Sequence, residues 1–150
     1  MEGFAIKNRG ISAELYREII NLARNVPAYK AMNISLKYIG PERAGMEMTV
    51  IPEFTNTVGI AHGGLIASFA DTVMGFAGRS LNLRCVTMEM NINYLVPVQI
   101  GETLTGEGSV IHAGKNTIVA EAKIYNSKNK LVAQSRGTFM ILGPILKNDN

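Results

Sequence analysis

Two features of the chain bear directly on chemistry. Asp71 stands in a run that is otherwise apolar: Leu65, Ile66, Phe69, Val73, Met74 and Phe76, with Ala61, Ala67, Ala70 and Ala77 filling much of the rest. Burying an unpaired carboxylate is costly, so an acid in such a run has either a structural hydrogen-bond partner or a task. Upstream, His62-Gly63-Gly64 falls at the expected start of the same helix. A helix N-terminus carries backbone N–H groups without intrahelical partners, at the positive end of the macrodipole. Glycine lets a ligand come close to that backbone. Such a place stabilises a carbonyl oxygen that gains negative charge in a tetrahedral transition state. Taken alone, His-Gly-Gly is also what an ordinary tight turn feeding a helix looks like.

The spacing links the two features. Asp71 lies eight residues beyond Gly63, which is about 12 Å along a helix axis. A general base acts within roughly 3 Å of its proton, directly or through one water. Gly63 and Asp71 of one chain therefore cannot serve one small reacting group. If both are catalytic, Asp71 must meet Gly63 of another subunit. Two antiparallel copies of the helix about a two-fold axis would give two equal sites.

The elements that must position these residues follow from periodicity. Ser12 is an N-cap for a helix over about residues 12–26, with Glu14 in its first turn and an apolar stripe of Leu15, Ile19 and Leu22 ended by Pro27. Strands are expected over residues 34–39 and 45–50, with Pro41 and Glu42 in the turn. A polar loop over residues 52–59 leads into the second helix, about residues 63–81, apolar nearly all round and hence buried. Beyond it, Met88, Met90, Ile92 and Tyr94 alternate with Thr87, Glu89, Asn91 and Asn93. Strands over about 102–111, 118–124 and 131–142 complete the pattern, and the tail from Lys147 is polar and expected to fray. One domain over residues 1–150, with its core at about 30–142, is an α+β arrangement of one long helix wrapped by a single curved antiparallel sheet. An all-apolar helix needs more cover than one sheet face gives, and subunit association would supply it.

Composition narrows the function classes. Of 150 residues, 47% are hydrophobic and 18% charged, a globular balance. The net charge is only +3 and the basic residues are scattered, so no nucleic-acid face is expected. Cys85 is the only cysteine, which rules out an intrachain disulfide. Two histidines and one cysteine show no metal-ligand spacing, and no metal is expected. Residues 1–10 do not read as a signal peptide. No apolar run reaches the ~18 residues of a membrane span, the best candidate being interrupted by Asp71. A cytoplasmic protein is the expectation.

At the residues already singled out, the sequence resembles a known family. Asn56-Thr57-Val58-Gly59-Ile60-Ala61-His62-Gly63-Gly64 followed by Asp71 is similar to the hotdog-fold thioesterases of the phenylacetate-degradation (PaaI-like) branch. The likeness continues through Thr87-Met88-Glu89-Met90-Asn91-Ile92-Asn93-Tyr94-Leu95, Pro97, Gly101, Gly114-Lys115 and Ala133-Gln134-Ser135-Arg136-Gly137-Thr138, so that it spans about residues 30–142.

The resemblance implies a hotdog fold, a homodimer or homotetramer and hydrolysis of an acyl-CoA, with coenzyme A arriving as part of the substrate and no separate cofactor. It implies that the Gly63 N–H polarises the thioester carbonyl, that Asn56 helps hold that carbonyl or the water, and that Asp71 of the other subunit acts as base or nucleophile. Thr87 would orient the water, and His62 would position the substrate or assist departure of the thiolate. Gly64, Lys115 and Arg136 would contact the coenzyme A part, Lys128 and Lys130 less so; for each cation a solvated surface charge is the weightier reading. Phe69, Met74, Phe76 and Met90 would line an acyl pocket, or are simply core. His112 has no assigned role. The rival readings are a non-catalytic acyl-CoA sensor and a hotdog dehydratase or hydratase. The first normally carries a DNA-binding unit that the short N-terminal segment cannot supply. The second needs proton transfer at carbon, from a differently placed histidine.

Overall fold

The computed structural model describes residues 5–147; the end of the tail expected to fray lies outside them. Helix α1 (Ala13–Asn25) begins where the Ser12 hydroxyl accepts a hydrogen bond from the Leu15 N–H at 3.2 Å, and it buries Leu15 and Ile19. Pro27 does more than stop this helix. It opens a further short one, α2 (Pro27–Ala31), at a position where its missing N–H costs nothing. Tyr29 of α2 then meets Phe76 edge-on, with ring centroids 5.8 Å apart.

The strands are β1 (Lys7–Asn8), β2 (Ile34–Gly40), β3 (Arg43–Thr49), β4 (Leu83–Tyr94), β5 (Thr103–Ala113), β6 (Thr117–Tyr125) and β7 (Leu131–Pro144). They form one sheet in the order β1-β2-β3-β5-β6-β7-β4. Every pairing is antiparallel except that of β1, a two-residue strand parallel to β2. The long helix α3 (Gly63–Arg79) touches six strands, β2 to β7, so the sheet curves around it, as the resemblance implied. The approach is close: a Cβ on Gly108 of β5 would lie 2.6 Å from the Val73 carbonyl oxygen.

Cover over α3 is uneven. Thr72 to Gly78 are buried by the chain's own sheet and α2. Gly63, Gly64, Ala67, Ser68 and Asp71, in the first half, keep part of their surface exposed. Of these, Asp71 meets Thr87 and Gly63 meets Tyr94, both on β4, which ends the sheet. Its 12 residues pair only with β7, and its other edge has no strand among the described residues.

One departure from the sequence pattern matters for the site. Straight alternation puts Thr87 on the face opposite Met90 and Tyr94. In the structure Thr87 pairs with Phe139, and the next pair is Glu89 with Thr138, so β4 gains a residue at Met88. Such a bulge re-phases a strand. Phe139 faces the core at 2% exposure, and Thr87 opposite it faces the same way. Beyond the bulge Met90, Ile92 and Tyr94 also sit opposite inward residues, Gly137, Ser135 and Ala133. Glu89 is turned outward, where its carboxylate accepts from the Thr138 hydroxyl at 2.6 Å.

Candidate active site

The bulge brings Thr87 to Asp71. The Thr87 hydroxyl donates to Asp71 Oδ1 at 2.5 Å. Its single hydrogen is thereby committed, and its lone pairs remain free to accept from a water. Asp71 itself is half-buried, and its second oxygen has no hydrogen-bond partner among the described residues. Cys85, two residues before Thr87, offers no competing nucleophile. It is buried, and burial pushes its thiol above the ordinary 9.0; the nearby Asp71 adds to this, and Arg79 only partly offsets it. The thiolate, not the thiol, is the reactive form.

At the N-terminus of α3 the His62 side chain is the cap: Nδ1 accepts from the Gly64 N–H at 2.8 Å. A neutral imidazole that accepts at Nδ1 carries its proton on Nε2. Gly64 is thus committed internally, whereas the Gly63 N–H has no partner among the described residues. Asn56 shapes the preceding loop. Its Oδ1 accepts from the N–H groups of Val58 at 3.0 Å and Ile60 at 3.2 Å, which leaves the amide Nδ2 as the group available to a ligand.

Two cavities flank this helix end. One, of about 280 Å³, places Asn56 and Gly63 together with Ile60, Ile66, Tyr94 and Val98. The other, of about 260 Å³, takes His62 and Gly64 with Ser68, Phe54 and Met32. The expected site residues therefore divide into three groups: Asp71 with Thr87, Gly63 with Asn56, and His62 with Gly64. Asp71 and Gly63 remain about 12 Å apart along the axis, as the helical rise requires.

Phe69, Met74 and Phe76 are fully buried within the chain. Met90 is half-buried, on the inner face of the open β4 edge. Lys115 lies in the exposed β5–β6 turn and Arg136 is exposed on the outer face of β7, in register with Glu121 and Asn91. Neither lines the two cavities beside α3. Lys128 and Lys130 sit at the β6–β7 turn, where their backbone N–H groups are held by Asn126. Among the described residues no group of three His, Cys, Asp or Glu is placed to hold a metal ion, and no helix is long and apolar enough to cross a membrane.

Sequence reasoning missed Tyr94 as a member of the site. Its phenol donates to the Gly63 carbonyl at 2.7 Å, and burial raises its pKa above the ordinary 10.0. The available signal was its place in the β4 alternation with Met90 and Ile92, which does not reveal the contact with Gly63.

Comparison with known proteins shows the family and the fold. Residues 58–133 match the model of the thioesterase superfamily. The acyl-coenzyme A thioesterase PaaI of Escherichia coli is 36% identical over 108 residues, 72% of this chain and 77% of that protein. The structure of the E. coli PaaI protein, from the phenylacetic acid degradation operon, superposes with a TM-score of 0.84 at 31% identity, covering 90% of this chain and 98% of that one. A Streptococcus mutans protein, smu.793, solved bound to acetyl CoA, superposes with a TM-score of 0.72 at 28% identity, covering 75% and 90%. With its α+β hotdog fold and its PaaI-like sequence, the chain belongs to the thioesterase superfamily and is a thioester hydrolase.

Proposed function

We propose that the substrate is an acyl-CoA, cleaved to the free acid and coenzyme A at a site shared by two copies of the chain. The observation that carries this reading is the separation of an oriented carboxylate, Asp71 on Thr87, from an unpartnered N–H at Gly63 on the same straight helix. The names of the E. coli relative and of the acetyl-CoA-bound neighbour support the choice of thioester.

In this scheme the thioester carbonyl oxygen accepts from the Gly63 N–H of one copy, with the Asn56 amide beside it. Asp71 of the other copy takes a proton from a water held by Thr87. The water oxygen adds to the carbonyl carbon, and the negative charge of the tetrahedral intermediate rests on the oxygen facing Gly63. The C–S bond then breaks, and the proton held by Asp71 is available to the departing thiolate. Direct attack by Asp71 on the carbonyl carbon starts from the same geometry. The two-fold axis passes level with Ala67, midway between Gly63 and Asp71, where small side chains let two helices approach. The open edge of β4 supports the same association, since an unpaired strand of this length is a template for another. A homotetramer built from such dimers, a cytoplasmic location, and coenzyme A phosphates near Lys115 and Arg136 complete the reading. No resident cofactor enters the scheme.

Release of free thiol from a panel of acyl-CoAs tests this. Turnover that saturates with one acyl class supports hydrolysis and names the substrate. Tight binding across the panel with no thiol released would instead indicate an acyl-CoA sensor.

A further inference from the structure

Tyr94 takes no part in the scheme above, yet it touches the residue on which that scheme depends. It is the last residue of β4, opposite the inward-facing Ala133. Its hydroxyl donates to the Gly63 carbonyl at 2.7 Å. Its ring lies against the Gly63 α-carbon: a Cβ there would stand 3.2 Å from the ring's Cζ. A side chain at 63 would therefore press on the ring, which would have to give by a few tenths of an ångström. Tyr94 is also half exposed, at 50%, on the wall of the 280 Å³ cavity that contains Asn56 and Gly63.

The chemistry of that cavity says what enters it. Apart from Asn56, Gly63 and the Tyr94 hydroxyl, its lining is aliphatic, including Ile60, Ile66, Leu95 and Val98. A carbonyl bound at Gly63 has two substituents, the acyl group and the sulfur of the pantetheine arm. That arm carries two amides, whose burial among aliphatic side chains without partners would be costly. The acyl group carries none. At 280 Å³ the space lies just below the range of about 300–1,000 Å³ usual for small-molecule pockets, which suits a short or compact acyl group.

We infer that Tyr94 bounds the acyl pocket with its ring, so setting the largest acyl group accepted, and fixes the carbonyl-binding turn of α3 with its hydroxyl. This rests on the acyl-CoA reading above. The two roles separate by substitution. Tyr94→Phe keeps the ring and removes the hydroxyl; Tyr94→Ala removes both.

The test measures kcat and KM for acyl-CoAs of increasing chain length with the wild type and both variants, together with Kd for the matching S-alkyl-CoA thioethers, which cannot be hydrolysed. Tyr94→Phe should keep the chain-length profile and lose about 3- to 10-fold in kcat. Tyr94→Ala should shift the profile of both kcat/KM and Kd toward longer groups, by at least about tenfold in the long-to-short ratio. If Ala unsettles the edge strand, Tyr94→Leu carries the same arm with apolar cover retained. Unchanged profiles in every variant, with full kcat in Tyr94→Phe, would overturn the inference. If the wild type turns over no acyl-CoA, hydrolysis of that substrate fails separately, and the thioether series still decides: a length shift in Tyr94→Ala upholds the pocket, and no shift or no binding refutes it.

Discussion

Mixing two inactive variants tests whether the site is shared between chains. Gly63→Pro removes the N–H that receives the carbonyl. The backbone tolerates it: position 63 is the first residue of α3, where proline's missing donor and fixed φ are accommodated. His62 already has ψ 134°, in the region preferred before proline. The proline Cβ would lie 3.2 Å from the half-exposed Tyr94 ring, which must yield by a few tenths of an ångström. Asp71→Asn removes the acid while keeping an oxygen for Thr87. Each variant alone should be nearly inactive. After subunit exchange at equal concentration, about half the dimers are mixed, each with one intact site and one doubly defective site, so activity should return to about one quarter of wild type. The basis is the separation of about 12 Å between Gly63 and Asp71 in one chain. The assay is thiol release from the best acyl-CoA, with exchange confirmed by mass spectrometry of differently tagged chains. Mixed dimers that form without recovering activity would refute the shared site.

Three further outcomes follow from the same geometry. Thr87→Ala should lower kcat by about tenfold with little change in KM, because it leaves Asp71 without its orienting donor, and Thr87→Ser should restore most of the rate; steady-state kinetics checks both. His62→Ala removes the cap on the Gly64 N–H and should cost about 1 kcal/mol, seen as a fall of roughly 2–4 °C in thermal midpoint. Stability should also decline as the pH rises through about 9. Burial holds the Cys85 thiol above its ordinary 9.0, so the unfolded chain releases this proton first. The contribution is complete below 9 and is lost as the pH climbs toward the folded-state value. Urea midpoints measured between about pH 8 and 9.5 should fall for the wild type and fall less for Cys85→Ala.

Much of the fold was legible because its largest signals are local. The run from Leu65 to Phe76 is long and apolar enough to announce a buried helix, and the turns at Pro41, Gly114 and Asn126 bracket strands with clear alternation. The strand β1 and the helix α2 were not legible, since two and five residues are too few for periodicity to register. The placement of β4 beside β7 rather than β5 is a long-range pairing that no local pattern encodes. The site was legible in its residue types but not in its partnerships. Asp71 and Gly63 stand out by kind and spacing, and Asn56 only through the family resemblance. The contact of Thr87 with Asp71 depends on one extra residue at Met88, which reads in sequence as plain alternation. His62 as a cap was hidden because caps are usually Ser, Thr, Asp or Asn, and Tyr94 because nothing in its neighbours shows that it crosses to Gly63.

The most direct test of the central claim is thiol release from an acyl-CoA by the wild type beside Asp71→Asn, at matched subunit assembly. The reading predicts steady turnover by the wild type and a fall of about 10²- to 10⁴-fold in kcat for the variant, with assembly and KM little changed. Equal rates from the two proteins would contradict it, removing Asp71 from the chemistry and the shared site with it.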